Sequence, residues 1–569
     1  MLSLSPWRRH AAMALAALAL ALPGLTAPAQ ETAPKTDQAT PPPYAPKDMP
    51  AYDELVALFE EWRAFETPPW RDGAPDYTAA TTARRHDALK AFQARLAALD
   101  VSAWPVAAQV DYHLVRAEMN GMEFNIRVLQ PWARDPAFYQ SVWTYQSDTP
   151  AHEGPTHHHL VELWTYDFPL DDAAADKLAR ALGVIPPLLA QARQNLTGNA
   201  RDLWLAGTQT LRDQSATLAA LAERVGEAPA ALAKAVADAR AATDAFVVWL
   251  EDQADTKTGP SGIGKDHYTW ALRNVHLIPM TWDDEVQLLK RELSRAHTTF
   301  RLERLRNRDL PPLDAASDPA DYAARAEAAV DRYLGYLDSH DVLSVQPYMR
   351  PALMAHTGAF VPEERRNFFA RAMHHDTTTL YTHFYHWWDL ARMDAQPHPS
   401  PVRSGPLLYN IWDSRAEGMA TAMEEIYLHA GGYDDRPRVR EIVWIMLAQR
   451  AARGLGSLYA HANDFTMKQA ADFHVARTPD GWMRDDLSLL GFEQQLYLRQ
   501  PGYGTSYVTG KYLIEKLMAE RAEQLGAAFS TKRFFAELDA MGVIPVSMLR
   551  WQMIGLNDEI RSLLETEPL

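Results

Sequence analysis

Apolar residues recur every three or four positions along most of this chain, the spacing that gathers them on one stripe of an α-helix. The pattern runs through residues 83–99, 172–195, 208–252, 281–306 and 319–338, in segments rich in the strong helix formers Ala, Leu, Arg and Glu. Strand-like alternation is scarce, and no repeat of fixed period points to a solenoid. The sequence therefore predicts an all-α fold. Helix starts are written locally. Thr281 precedes Trp282-Asp-Asp284, an N-cap with an acid at the third helical position, and Ser317-Asp-Pro319 puts proline where a first turn tolerates it.

The periodic part begins near Tyr52. Ahead of it, residues 30–50 are rich in Pro, Thr, Ala and Lys and predict an extended linker of little fixed structure. Residues 1–29 read as a secretory leader, with Arg8 and Arg9, an apolar run over 11–22, a break at Pro23 and Ala27-Pro-Ala29 as a small-x-small cleavage site. That run is too short to span a bilayer, and no later uninterrupted stretch is long enough, so no membrane anchor is expected. The expected organisation is a leader over 1–29, a linker over 30–50 and one large helical domain over 51–569, periplasmic or secreted.

A hydrophobic content of 47% with 23% charged residues excludes a fibrous or largely disordered chain. The formal net charge is −17, and removing the leader takes away two positive charges more. Such an acidic surface argues against nucleic-acid and anionic-membrane partners, which need basic patches. Cysteine is absent. That removes disulfides, thiolate ligands, cysteine nucleophiles and a lipid-bearing cysteine, and leaves stability to the core.

Candidate chemistry concentrates in residues 374–388, HHDTTTLYTHFYHWW, expected on one helix. His383 and His386 are three apart, so on a helix both lean over one face and can reach one ion. His375 is eight residues before His383, roughly 12 Å of helical rise, too far to share it. The zinc-protease signature, two histidines four apart around a glutamate, is not present. About thirty residues on, Glu417 and Glu424 lie seven apart on one helical stripe, so either can face the histidine pair. The alternative is that these histidines are polar members of an aromatic face with Tyr381, Phe384, Tyr385, Trp387 and Trp388.

Three other features bear on chemistry. The histidine cluster at 152–159, HEGPTHHH, contains Gly154 and Pro155 and reads as a loop. Residues 438–473 form an amphipathic helical region carrying Arg450, Arg453 and His461, interrupted at Asn463-Asp464. Residues 500–511 hold glycines at 502, 504 and 510, which let backbone approach a ligand or make a tight turn between helices, and Tyr503 and Tyr507, which can donate hydrogen bonds to an oxyanion.

Several segments in order resemble a known family: Asp111-Tyr-His-Leu114, Pro131-Trp-Ala-Arg-Asp-Pro136 with Phe138-Tyr139, Gly262-Ile-Gly264 before Tyr268, Glu417-Gly418, residues 453–461, and Pro501-Gly502 through Tyr507 to Gly510-Lys511. Together they resemble the bacterial domain-of-unknown-function family 885, whose members are similar to helical zincin-type metallopeptidases. The resemblance implies a two-lobed helical body around a deep central cleft and a divalent metal, with zinc the expected ion. Typical members carry His-Glu-x-x-Pro-Gly-His-His, then Glu-Gly-Trp-Ala, then a histidine matching His461 and a tyrosine matching Tyr507. Glu417-Gly-Met-Ala420 departs from the second motif by one residue. The first motif is divergent: with its later histidine on His383, the leading His-Glu falls on Thr377 and Thr378, or after a short insertion on His375-Asp376.

The function expected from residues and resemblance together is an exported metal-dependent hydrolase with peptidase-like amide chemistry on a small-molecule or peptide substrate. His383, His386 and Glu417 are the expected metal ligands, Glu424 or Asp376 the base, and His461 and Tyr507 the stabilisers of a tetrahedral oxyanion. The divergent first motif supports a second reading, a helical binding protein of the same fold that has lost the chemistry.

Overall fold

The computed structural model describes residues 49–152, 154–226, 229–565 and 569. The expected leader over 1–29 lies outside them, as does the expected linker save its last two residues. The described chain is predominantly helical. Strand is confined, among the described residues, to two short pairs, Trp70–Arg71 with Ala74–Pro75 and Val142–Trp143 with Val161–Glu162.

Local signals set the helix starts as the sequence implied. Thr281 and Asp284 form a reciprocal capping box ahead of Trp282–Arg306. Asp318 accepts from the N–H groups of Ala320 and Asp321 to cap Pro319–Ser339. Three stretches of expected helix are nevertheless divided. The region 172–195 splits into Asp172–Leu182 and Ile185–Asn195, because Pro186 and Pro187 lack N–H donors and fit only a first turn. The region 208–252 splits between Arg201–Val225 and Ala230–Gln253, where Gly226 takes a φ of 51° and Pro229 opens the second helix.

The third division corrects the single helix expected over 374–388. Three helices stand there instead: Phe368–His375, Thr378–His383 and Tyr385–Ala395. Asp376 is extended, and its Oδ1 accepts from the Thr378 N–H (2.9 Å), ending one helix and starting the next. Three β-branched threonines, 377–379, oppose helix continuation at this point. A second break at Phe384 (ψ 19°) separates His383 from His386.

Two large hydrophobic clusters hold the molecule. One packs the helices between 172 and 253 around Phe138, Tyr139, Trp204 and Phe246. The larger joins the first helix, Pro50–Glu66, to most of the C-terminal half. In its centre the helices Asp413–His429, Val439–His461 and Tyr503–Leu525 approach closely through glycine. A Cβ on Gly418 would lie 2.5 Å from Gly510, and one on Gly504 would lie 2.9 Å from the Tyr497 ring and 3.1 Å from Ser457. Gly504 and Gly510 therefore serve helix packing, which corrects the ligand-approach option. Gly502, at φ 92°, makes the turn.

Several histidines are sealed in this core. Burial pushes His474 and His113 down to about 3, with Arg453 and Arg116 respectively adding to the effect. A histidine depressed in the folded state takes up protons more readily when unfolded, so its stabilising contribution is complete above pH ~6.5 and shrinks as pH falls toward the folded value. Replacing the buried His474 with Gln is expected to make the unfolding free energy less sensitive to pH between 7 and 5 than in the parent, by on the order of 1–2 kcal/mol. Denaturant melts of both proteins at the two pH values measure this, and parallel pH slopes would contradict it.

Candidate metal centre

His383 closes one short helix and His386 lies in the first turn of the next, so the break at Phe384 rather than helical spacing sets their relation. Their rings nevertheless meet edge to face, with centroids 5.0 Å apart. Opposite stands the helix Asp413–His429, buried along nearly its whole length, which presents Glu417 and Glu424 two turns apart. Donor atoms of His383, His386 and Glu417 all lie within 4.8 Å of one another, the one such group of ligand-type side chains among the described residues. Glu417 Oε2 is 3.0 Å from His386 Nε2 and 3.7 Å from His383 Nε2. Its other oxygen accepts from the Tyr503 hydroxyl (2.5 Å).

Glu424 reaches the far side of His383, with Oε1 3.0 Å from Nδ1. Arg450 lies 2.6 Å from that same carboxylate oxygen and 3.2 Å from the same ring nitrogen. Tyr507 stacks on His383 with centroids 6.0 Å apart, and Arg453 lies over the other part of this stack, 3.9 Å from the Tyr507 ring centroid. Arg453 is itself held by Glu493 at 2.6 Å.

The electrostatics of the two imidazoles diverge. Burial disfavours the charge on His386, but the Glu417 carboxylate outweighs it and raises the ring to about 9, with Asp148 and Asp389 contributing. Burial, followed by Arg450, His386 and Arg453, holds His383 well below its usual range and hence neutral. Burial also works against the charge on Glu417, yet His386 and Tyr503 keep it ionised below the ordinary carboxylate range. Glu424 is driven up to about 8 by burial, against the opposing pull of Arg450. Asp148 is raised by burial too, while interacting with the charges of His386 and Glu417.

Other predicted site residues go elsewhere. Asp376 pairs with Arg436, with Arg332 at 3.9 Å, besides accepting from the Thr378 N–H at the start of the helix that ends in His383. His461 ends the helix Val439–His461, where its Nε2 meets the Tyr497 carbonyl at 2.9 Å and its ring packs beside Tyr268. His375 stacks on Trp482. The cluster at 152–159 is a loop whose histidines have separate partners: His152 meets Glu162, His157 meets Ser141, and His158 meets Glu66. Glu425 faces away from the histidines, toward Arg295 and Lys511.

Sequence reasoning missed the partnership of Arg450 with Glu424, the Tyr503 bond to Glu417 and the proximity of Asp148. Arg450 and Arg453 left a faint trace, as cations three apart within a helix whose other residues from 442 to 458 are nearly all apolar or small. Asp148 left none, since it sits on a loop far away in sequence.

A family model described as "Bacterial protein of unknown function (DUF885)" matches residues 65–309, a span that ends before His383, His386 and Glu417. A solved structure of a candidate lipoprotein of unknown function from Shewanella oneidensis aligns with a TM-score of 0.65 at 16% identity, over 88% of this chain and 98% of its own. A candidate lipoprotein from Colwellia psychrerythraea aligns with a TM-score of 0.62 at 12% identity, over 91% and 100%. At such identities the likeness is one of fold. No curated protein matches the chain.

Proposed function

We propose that the protein is an exported metal-dependent hydrolase acting on an amide bond, with His383, His386 and Glu417 as the metal-holding residues. The observation that carries this reading is the convergence of two imidazole nitrogens and one carboxylate oxygen within 4.8 Å. Donors each 2.0–2.2 Å from a tetrahedral zinc lie roughly 3.3–3.6 Å apart, and the separations of 3.0 and 3.7 Å straddle that spacing. Three protein donors also match a catalytic rather than a closed structural site. When bound, zinc would polarise a carbonyl and lower the pKa of water.

The chain's own residues complete the reading. Glu424, on the far nitrogen of His383, has the place of the outer carboxylate that orients a ligating histidine. It borders the donor set, whereas Asp376 is engaged by Arg436, so Glu424 is the better choice for handling a proton. Tyr507, against His383, is proposed to donate to the oxyanion. His461 is better assigned a positioning role, since it holds the Tyr497 carbonyl while the Tyr497 ring stacks near Tyr503, the donor to Glu417. The leader-like residues 1–29 and the candidate lipoproteins of the same fold support export. The two-lobed body around a cleft belongs to this reading.

The second reading, a binding protein without chemistry, is favoured by Arg450 and Arg453, fixed cations beside the donor set, and by the self-satisfied His386–Glu417 pair. Elemental analysis decides between them. Protein purified without chelator is expected to hold about one zinc or similar divalent ion per chain. No metal, even after zinc addition, would leave the binding-protein reading.

A further inference from the structure

A cavity among the described residues is lined by side chains other than the histidine–glutamate set. It has a volume of about 560 Å³, within the range of pockets that take small molecules. One wall is aromatic: Tyr77, Trp132 and Phe138 pack on one another, Tyr77 meeting Phe138 edge to face at 4.9 Å and lying parallel to Trp132 at 6.5 Å. Charged groups at its edge are engaged within the protein: Arg85 donates to the carbonyls of Phe65 and Glu66 and its charge acts on the Glu66 carboxylate. Glu66 lies 3.1 Å from His158 and accepts from the Tyr409 hydroxyl at 3.1 Å, while Arg499 pairs with Asp135. A net charge on an occupant would therefore find no unmatched counter-charge among these pairs.

The polar groups left to greet a ligand are carboxamides. Asn410 and Gln500, bonded to each other, line the cavity together with Asn125, whose side chain makes no hydrogen bond among the described residues. Gln500 is engaged at both ends, accepting from Asn410 and donating to the Leu496 carbonyl, so it holds Asn410 in place. A carboxamide donates and accepts at once, so Asn125 and the remaining edge of Asn410 match the two edges of an amide group. The backbone adds a second observation. Tyr409 and Asn410 both adopt left-handed conformations, at φ 57° and 55°, which is costly for a bulky aromatic residue and is the kind of strain that gathers at ligand sites. Gly121 is needed to seat the Tyr409 ring, since a Cβ there would lie 2.4 Å from it. The segment 408–410 leads into the helix bearing Glu417, and Gln500-Pro501 leads into the helix bearing Tyr503.

We infer that this cavity is a binding site for an uncharged amide carrying an aromatic or bulky apolar group, such as a peptide fragment blocked at both ends. The aromatic wall takes the ring, and Asn125 and Asn410, the latter held by Gln500, take the amide. The inference stands on the cavity and holds whether or not the histidine–glutamate set carries a metal.

Isothermal titration of the full-length protein with N-acetyl-phenylalaninamide tests it. Saturable one-site binding is expected, with N-acetyl-alaninamide and free phenylalanine each weaker by on the order of tenfold or more. Leu160→Trp, which fills the cavity from a half-buried position, should abolish binding, and Asn125→Leu should weaken it by on the order of tenfold with an unchanged melting temperature. Glu417→Gln should leave binding intact, which separates this site from the metal reading. The absence of saturable binding, equal binding of the three probes, or binding untouched by both cavity substitutions would each overturn it.

Discussion

Replacing Glu417 with Gln is expected to weaken metal retention by at least about a hundredfold and to remove hydrolytic turnover with it, while the fold survives. A ligating carboxylate supplies charge as well as a lone pair, and its loss should exceed the roughly 10–100-fold cost of altering an outer partner. The fold should survive because a carboxamide has almost the same volume, and its oxygen can still accept from Tyr503 or His386. His386 would lose the charge that chiefly holds it protonated, so its ring should shift toward the neutral form. Glu424→Gln is the comparison: it reaches His383 only at the outer nitrogen, besides pairing with Arg450, and should cost roughly 10–100-fold in metal affinity. Competition with a zinc chelator, followed spectroscopically, ranks the three proteins. Equal retention by parent and E417Q would remove Glu417 from the donor set and the proposed function with it.

The order of these effects reflects what a sequence can and cannot carry. Helical class was legible because a 3.6-residue period repeats dozens of times and local caps such as Thr281 and Asp318 act within three residues. Glu417 and Glu424 were legible for the same reason, since one helical stripe does bring both to His383. The grouping of His383 with His386 was anticipated on the wrong physical ground: spacing on one helix was invoked, whereas the chain breaks at Phe384 and the second helix delivers His386. What was not legible is tertiary. Nothing near Asp376 announces Arg436, sixty residues on, and nothing near Glu424 announces Arg450 on the following helix. Buried charges choose partners by packing, and packing is a property of the assembled core. The glycines were ambiguous because close approach to a ligand and close approach to another helix demand the same missing Cβ.

The largest effect on stability is expected away from the histidines, at Arg403. Its side chain and that of Asp111 are both wholly buried and meet at 2.5 Å. Asp111 also accepts from Tyr52 (2.6 Å) and Ser400 (2.8 Å), while Arg403 donates to the carbonyls of Ala107 (2.8 Å) and Met541 (3.1 Å) and to Gln552 (2.9 Å). The pair thus ties the first helix, the 106–124 helix and the C-terminal region to the loop before the glutamate helix. Arg403→Met removes the cation and leaves Asp111 to be buried as an uncompensated charge or neutralised, at a cost of about 3–5 kcal/mol. The double variant Asp111→Leu/Arg403→Met is expected to be more stable than Arg403→Met alone, because no charge then remains buried without its partner. The exposed pair of Arg95 with Glu61 supplies the contrast: Arg95→Ala should leave the denaturation midpoint nearly unchanged, since solvent already screens that attraction. Urea denaturation of the four proteins measures all three expectations. A midpoint for Arg403→Met within error of the parent would show that Asp111 is satisfied by Tyr52 and Ser400 alone, and that the network rather than the ion pair holds these segments together.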